Sequence, residues 1–305
     1  MLSCERYEMP ETLAEALALW TGAPEGAQLV AGMTDILPWA REGRAGDVEL
    51  PLAIDLSRVA ELNGYERHGS RLRLGANVVW QDFLDDPQLA AWLPVMPYCS
   101  VWFADDQIRQ QATLAGNLVN ASPAADGTPP VIALNGEVEL CRLANGQLMS
   151  RTVRVEDFVT GPGKTTLAPG EIMCSVTVDC AEGYGASFQK VGQRRSLVIS
   201  VACLAALVKL DASGNRYEDV RLAVGGVGPV PERLRDIEDR LRGEAPDMAL
   251  IAELAEATAD RVGSRSRIDY RRRVVPGFVR AALEEATDRA RSARGAAAKK
   301  ETVNA

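Results

Sequence analysis

The chain has 305 residues, 47% hydrophobic and 25% charged, the profile of an ordinary globular protein with room for about two domains of ~150 residues each. Its formal net charge of -8 argues against a nucleic-acid partner, because phosphate binding needs a net or clustered positive field. No run approaches the roughly 18 apolar residues of a membrane span, and Glu5, Arg6, Glu8 and Glu11 interrupt the stretch where a signal peptide needs an apolar core, so the expected location is cytoplasmic, with no membrane.

In chain order, residues 11–20 predict a helix with Pro10 suited to its first turn and Leu13, Leu17 and Trp20 on one face. Residues 26–32 read as a short buried strand ending in a turn, and 52–56 as a second strand. Residues 64–75 read as a hairpin with His68 at its tip. This alternation marks an α/β or α+β start. The stretch 79–98 is helical with a break at Pro87 and closure at Pro94 and Pro97. Residues 101–140 are irregular, with a short helix opening at Thr128 and Pro129 and a return to strand at 137–140. Beyond residue 178 the pattern becomes strand, strand, turn, strand, followed by helices at 231–242, 248–262 and 269–290. The expected organisation is 1–177 in two lobes, about 1–57 and 58–177, then 178–287 as a smaller α+β domain, and 288–305 as a disordered tail.

Several chemistries lack material. His68 is the single histidine, which leaves nothing for a Ser/His/Asp triad or a histidine-rich metal site. The six cysteines contain no CxxC pair, so ordinary zinc and iron–sulfur spacings are absent and buried thiols are expected. Gly163, Lys164 and Thr165 imitate the end of a phosphate-binding P-loop, but Phe158 stands where that motif needs its first glycine. The run 225–230 imitates a dinucleotide fingerprint, yet Pro229 and Pro231 interrupt the helix it would open. Redox chemistry on this chain therefore requires a bound cofactor.

Two loops share one design. LVAGMTD (Leu29, Val30, Ala31, Gly32, Met33, Thr34, Asp35) and ATLAGNLVNASPAAD (112–126) each follow an apolar segment and combine small residues with a hydroxyl. Small residues admit close approach to the main chain, and amides arranged in a turn form an anion-binding concavity. Two such loops are suited to hold a pyrophosphate between them.

These stretches resemble the flavin-binding subunit of the molybdenum hydroxylases, the family of xanthine dehydrogenase and carbon monoxide dehydrogenase, whose pattern is close to AGGTD and QIRNxATLGGNxxxASPxxD. The second loop matches at Gln107, Ile108, Arg109, Thr113, Leu114, Gly116, Asn117, Ala121, Ser122, Pro123 and Asp126. The resemblance continues through 72–83, 167–172, 188–195 and 222–243, and covers about residues 5–285. It implies a two-lobed FAD-binding domain of the vanillyl-alcohol-oxidase-like type, then a smaller α+β domain with a three-stranded antiparallel sheet. By motif position, residues 29–35 would line the first pyrophosphate loop, and Thr113, Ala115, Gly116 and Asn117 the second. Ser122 and Asp126 would sit on the phosphates or ribityl hydroxyls, Ile172 and Met173 would flank the adenine or flavin, and Phe103 would stack on a FAD ring. Lys190 would lie near the isoalloxazine, where an ammonium stabilises the charge of the reduced ring.

The implied role is electron transfer: from 2Fe–2S clusters on a small partner chain, in a complex whose large chain holds the molybdopterin cofactor, through FAD to an external acceptor, NAD+ being expected. A dimer of heterotrimers is the implied assembly. A stand-alone FAD-dependent oxidoreductase and a scaffold that has lost FAD are the alternatives. Three departures stand out. Met33 replaces the second glycine of AGGTD, which costs about 1 kcal/mol if that backbone needs positive φ. Ala115 replaces the first glycine of GGN, and Leu197 and Val198 stand where acidic residues are common beside the flavin.

Overall fold

The computed structural model describes residues 2–41, 48–194, 197–263 and 266–303, with side chains described as far as residue 294. The first lobe runs β1 (Leu2–Cys4), β2 (Tyr7–Glu8), α1 (Leu13–Thr21), β3 (Gln28–Val30), α2 (Ile36–Arg41), β4 (Val48–Leu50) and β5 (Ala53–Asp55). Strand β5 lies between β2 and β3 in a parallel sheet, and β1 pairs with β4. Helix α1 opens later than the expected residue 11 because Thr12 is its cap. That residue is extended, with φ -123° and ψ 153°, and its hydroxyl accepts from the Glu15 N–H while the Glu15 carboxylate accepts from the Thr12 N–H. Leu13, Ala16 and Leu17 are buried, whereas Trp20 is only half-buried.

The second lobe comprises β6 (Tyr65–His68), β7 (Arg71–Gly75), α3 (Asp82–Asp85), α4 (Pro87–Trp92), α5 (Val95–Trp102), α6 (Asp106–Arg109), α7 (Leu114–Asn120), α8 (Thr128–Ala133), β8 (Glu137–Ala144), β9 (Gln147–Arg154), α9 (Val155–Phe158), β10 (Val159–Gly161), β11 (Lys164–Thr165) and β12 (Ile172–Asp179). Its main sheet is antiparallel, in the order β6-β7-β12-β8-β9. His68 sits exposed at the β6–β7 hairpin. Pro97, expected to close a helix, instead lies in the first turn of α5, where its missing N–H forfeits no intrahelical bond.

The C-terminal sheet is formed by β13 (Gly185–Val191), β14 (Ala202–Leu210), β15 (Tyr217–Gly225) and a two-residue β16 (Glu232–Arg233), so it has four strands rather than the expected three. Helices α10 (Arg235–Leu241), α11 (Met248–Glu256) and α12 (Ile268–Val303) accompany it. Helix α12 crosses β13 so closely that a β-carbon on Gly185 would stand 1.9 Å from the Ala286 carbonyl oxygen. Residues 288–303, expected as a disordered tail, continue this helix. Ala290 is buried against the sheet, and the Arg294 guanidinium donates to the carbonyls of Leu210, Asp211 and Ala212, which carries the helix past its predicted end.

All six cysteines are free thiols; four are buried, but Cys4 is exposed and Cys180 half-buried. No group of side chains among the described residues could hold a metal ion, and no described helix is long and apolar enough to cross a membrane.

Candidate functional site

Strand β3 delivers Leu29 and the buried Val30 to the turn 31–35, which leads into α2. The carbonyls of Met33 and Asp35 start that helix by accepting from Leu37 and Trp39, at 3.1 Å each. The N–H groups of Ala31, Gly32, Met33, Thr34 and Asp35 have no acceptor among the described residues. Met33 is left-handed, with φ 55°, a conformation in which successive N–H groups converge on one side of a turn. Its side chain packs with Leu2, Ile36 and Val48 against the small core of the first lobe.

The second turn touches the first. A β-carbon on Gly32 would lie 2.0 Å from the Gln111 carbonyl oxygen and 3.2 Å from the Ala112 nitrogen, so only glycine permits the approach. From this seam Thr113 caps α7: its hydroxyl accepts from the Gly116 N–H at 2.9 Å and its carbonyl from the Asn117 N–H at 3.1 Å. Leu114 donates to the Val78 carbonyl, while the Ala115 N–H has no acceptor among the described residues. Gly116 is exposed, so the helix start is open on that side. Asn117 Oδ1 accepts from the Gly127 N–H at 3.1 Å, and the Ser122 hydroxyl accepts from the Ala124 N–H at 3.3 Å.

Asp126 follows in the same segment but is buried, with both carboxylate oxygens engaged. Lys190 Nζ donates to Oδ2 and Ser200 Oγ to Oδ1, each at 2.6 Å. Burial pushes the Asp126 carboxyl up from its ordinary range, opposed by the Lys190 charge and the two hydrogen bonds. An approach to phosphate or ribityl groups, as expected for Asp126, would compete with these partners. Phe103 stacks on the fully buried Trp80, with ring centroids 4.2 Å apart and 12° between planes, so one of its faces is already covered. Ile172 and Met173 begin β12, paired with Cys141 and Leu140, and lie in the main core rather than on an open surface.

Arg109 of the QIR motif is an organiser of the preceding turn. It is buried and donates to the carbonyls of Ser100 and Phe103 and to Gln81, and it pairs with Asp106. Arg195, the last residue of the 188–195 resemblance, lies outside the described residues. Leu197 is left-handed, with φ 49°, and exposed, as is Ile199. Sequence reasoning did not reach Ser200, Trp80 or Gln111, whose importance arises from contacts between distant segments.

Comparison with known proteins settles the family. Residues 3–178 match the model described as the FAD binding domain in molybdopterin dehydrogenase, and residues 187–286 match the CO dehydrogenase flavoprotein C-terminal domain. The chain belongs to the FAD-binding subunits of the molybdenum hydroxylase family. It is therefore an oxidoreductase subunit with a FAD-binding domain and a smaller C-terminal domain. The nicotine 6-hydroxylase medium subunit of Paenarthrobacter nicotinovorans is 30% identical over 290 residues, covering 92% of this chain and 96% of that one. The glyceraldehyde dehydrogenase medium chain of Sulfolobus acidocaldarius is 29% identical over 283 residues, covering 92% and 97%. The solved structure of carbon monoxide dehydrogenase from Hydrogenophaga pseudoflava, in a form lacking the Mo-pyranopterin moiety, contains a chain that superposes with a TM-score of 0.85 at 26% identity, covering 95% of this chain and 99% of that one.

The residues present fit a dinucleotide. A run of N–H groups at 31–35 without acceptors among the described residues meets the Gln111–Ala112 backbone that leads into α7, and the seam leaves no room for a side chain at Gly32.

Proposed function

We propose that the seam between 31–35 and 112–117 holds the pyrophosphate of FAD, and that the chain works as the electron-transfer subunit of a molybdenum-containing hydroxylase or dehydrogenase. The observation that carries this reading is the contact of Gly32 with the Gln111 backbone beside amides that have no acceptor among the described residues. In this reading Leu29 and Val30 lead into the cradle, and Ala31, Gly32, Met33, Thr34 and Asp35 supply its amides. Thr113, Ala115, Gly116 and Asn117 supply the opposite side, with Ser122 flanking them. Thr113 already accepts from Gly116, but its hydroxyl proton and the Asn117 side-chain N–H groups have no acceptor among the described residues. Phe103 offers the ring face that Trp80 leaves open, and Ile172 and Met173 support the site from the core without touching the ligand.

FAD bound here supplies electron transfer, and no side chain need act as a general acid or base. The partners we propose are a small subunit with 2Fe–2S clusters and a large subunit with the molybdenum cofactor, in keeping with relatives named as medium chains. NAD+ is the proposed acceptor. Purified protein should be yellow and bleach on reduction, and it should co-purify with the two partner chains. Gly116→Trp should abolish FAD retention while the circular dichroism spectrum stays unchanged. A folded Gly116→Trp protein with full flavin content would refute the placement of the loop.

A further inference from the structure

The polar cluster behind the seam has one member that neither the loops nor the resemblance assigns. Asp126, Lys190 and Ser200 are only 6%, 7% and 3% exposed. The Lys190 ammonium donates to Asp126 Oδ2 at 2.6 Å and to the Trp102 carbonyl at 3.1 Å. An ammonium carries three N–H groups, and the third has no acceptor among the described residues. The ammonium is paired, and its third N–H is the one it has left to offer a bound molecule.

Ser200 ends the segment that leaves β13 at Val191 and returns where the Val201 N–H donates to the Val191 carbonyl at 2.8 Å. Its hydroxyl is thereby placed 2.6 Å from Asp126 Oδ1, on the carboxylate oxygen that Lys190 does not use. If the cluster served only stability, well-packed apolar side chains would do as well, because desolvating a buried ion pair cancels most of its attraction.

We infer that Ser200 is a positioning residue for the flavin: by holding Asp126 Oδ1 it fixes the carboxylate against Lys190 and leaves the remaining ammonium N–H for the pyrimidine edge of the isoalloxazine. Reduction places negative charge on that edge, so the orientation of the ammonium bears on the flavin potential. The inference rests on the FAD reading above. Among the described residues, the groups facing Asp126 are Lys190 from β13, Ser200 from the returning segment, Cys99 from α5 and Cys203 from β14. Burial pushes both thiols up, so they stay neutral through the neutral range, and it pushes the Asp126 carboxyl up toward that range. Without the Ser200 hydrogen bond the carboxylate takes up a proton at higher pH, and below that pH the ammonium stands uncompensated beside the flavin.

The experiment measures FAD content and flavin midpoint potential against pH in the FAD-loaded protein, for wild type, Ser200→Ala, Ser200→Cys and Ser200→Thr. The alanine and cysteine variants should keep FAD but show a potential that rises more steeply toward acid pH, and threonine should restore the wild-type profile. Cysteine preserves the volume while weakening the donor, so the test survives a misfolded alanine variant. FAD-loaded Ala or Cys variants whose profiles superpose on wild type overturn the role of Ser200 and leave the FAD reading standing. Wild-type protein that takes up no FAD overturns both.

Discussion

The turns at 31–35 and 112–117 have similar compositions and meet at one seam, yet their backbone N–H groups are in opposite situations. In the first, the five N–H groups from Ala31 to Asp35 lack acceptors among the described residues. In the second, Ala112, Leu114, Gly116 and Asn117 all donate within the protein, and Thr113 and Ala115 alone lack acceptors among the described residues. Small residues alone therefore do not make an anion cradle; what matters is whether a local oxygen takes the amides first. Thr113 is such an oxygen, and the first turn has no equivalent. The first turn should accordingly supply most of the affinity, and the second should set position.

The largest test of this contrast is Gly32→Ala. Its β-carbon would meet backbone atoms, which cannot swing aside as a side chain can, so the seam must part. We expect FAD retention to be lost and unfolding stability to fall by about 3 kcal/mol, the upper range for overpacking. An unchanged urea midpoint would disprove the seam. Thr113→Ala comes next: loss of the α7 cap should cost about 1 kcal/mol, with a smaller fall in flavin affinity than Gly32→Ala causes. Flavin titration checks the order, and the reverse ranking would invert the comparison. Met33→Gly should have the smallest effect. Relief of about 1 kcal/mol of left-handed strain is offset by lost packing against the small core of Val30, Leu50 and Ala53, so the melting temperature should barely move. A large stabilisation would show that the side chain is strained without packing.

Met33 also shows what could be read in advance. Its place at a motif glycine raised the question of a positive φ, and the backbone is left-handed there. His68 at a hairpin and a short helix near Thr128 were likewise legible from local turn and proline signals, although Thr128, expected as the cap, is the first helical residue and Gly127 stands at the cap without a side-chain bond. Other features were beyond a linear reading. Phe103 was expected on a cofactor ring, but which aromatic covers it depends on Trp80 folding back from another segment. Asp126 looked like a ligand-facing carboxylate until β13 and Ser200 supplied partners from far along the chain. Ile172 and Met173 fell in the right motif but at the buried start of β12, paired with β8 and packed in the main core. Pro97 misled because proline ends helices and opens them with equal ease.

The contact between Gly32 and Gln111 leaves no slack for the two turns to approach any further when a dinucleotide arrives. Capture would then be entry into a finished mould, with little ordering entropy left to lose. Residence time would depend on how many hydrogen bonds must break together.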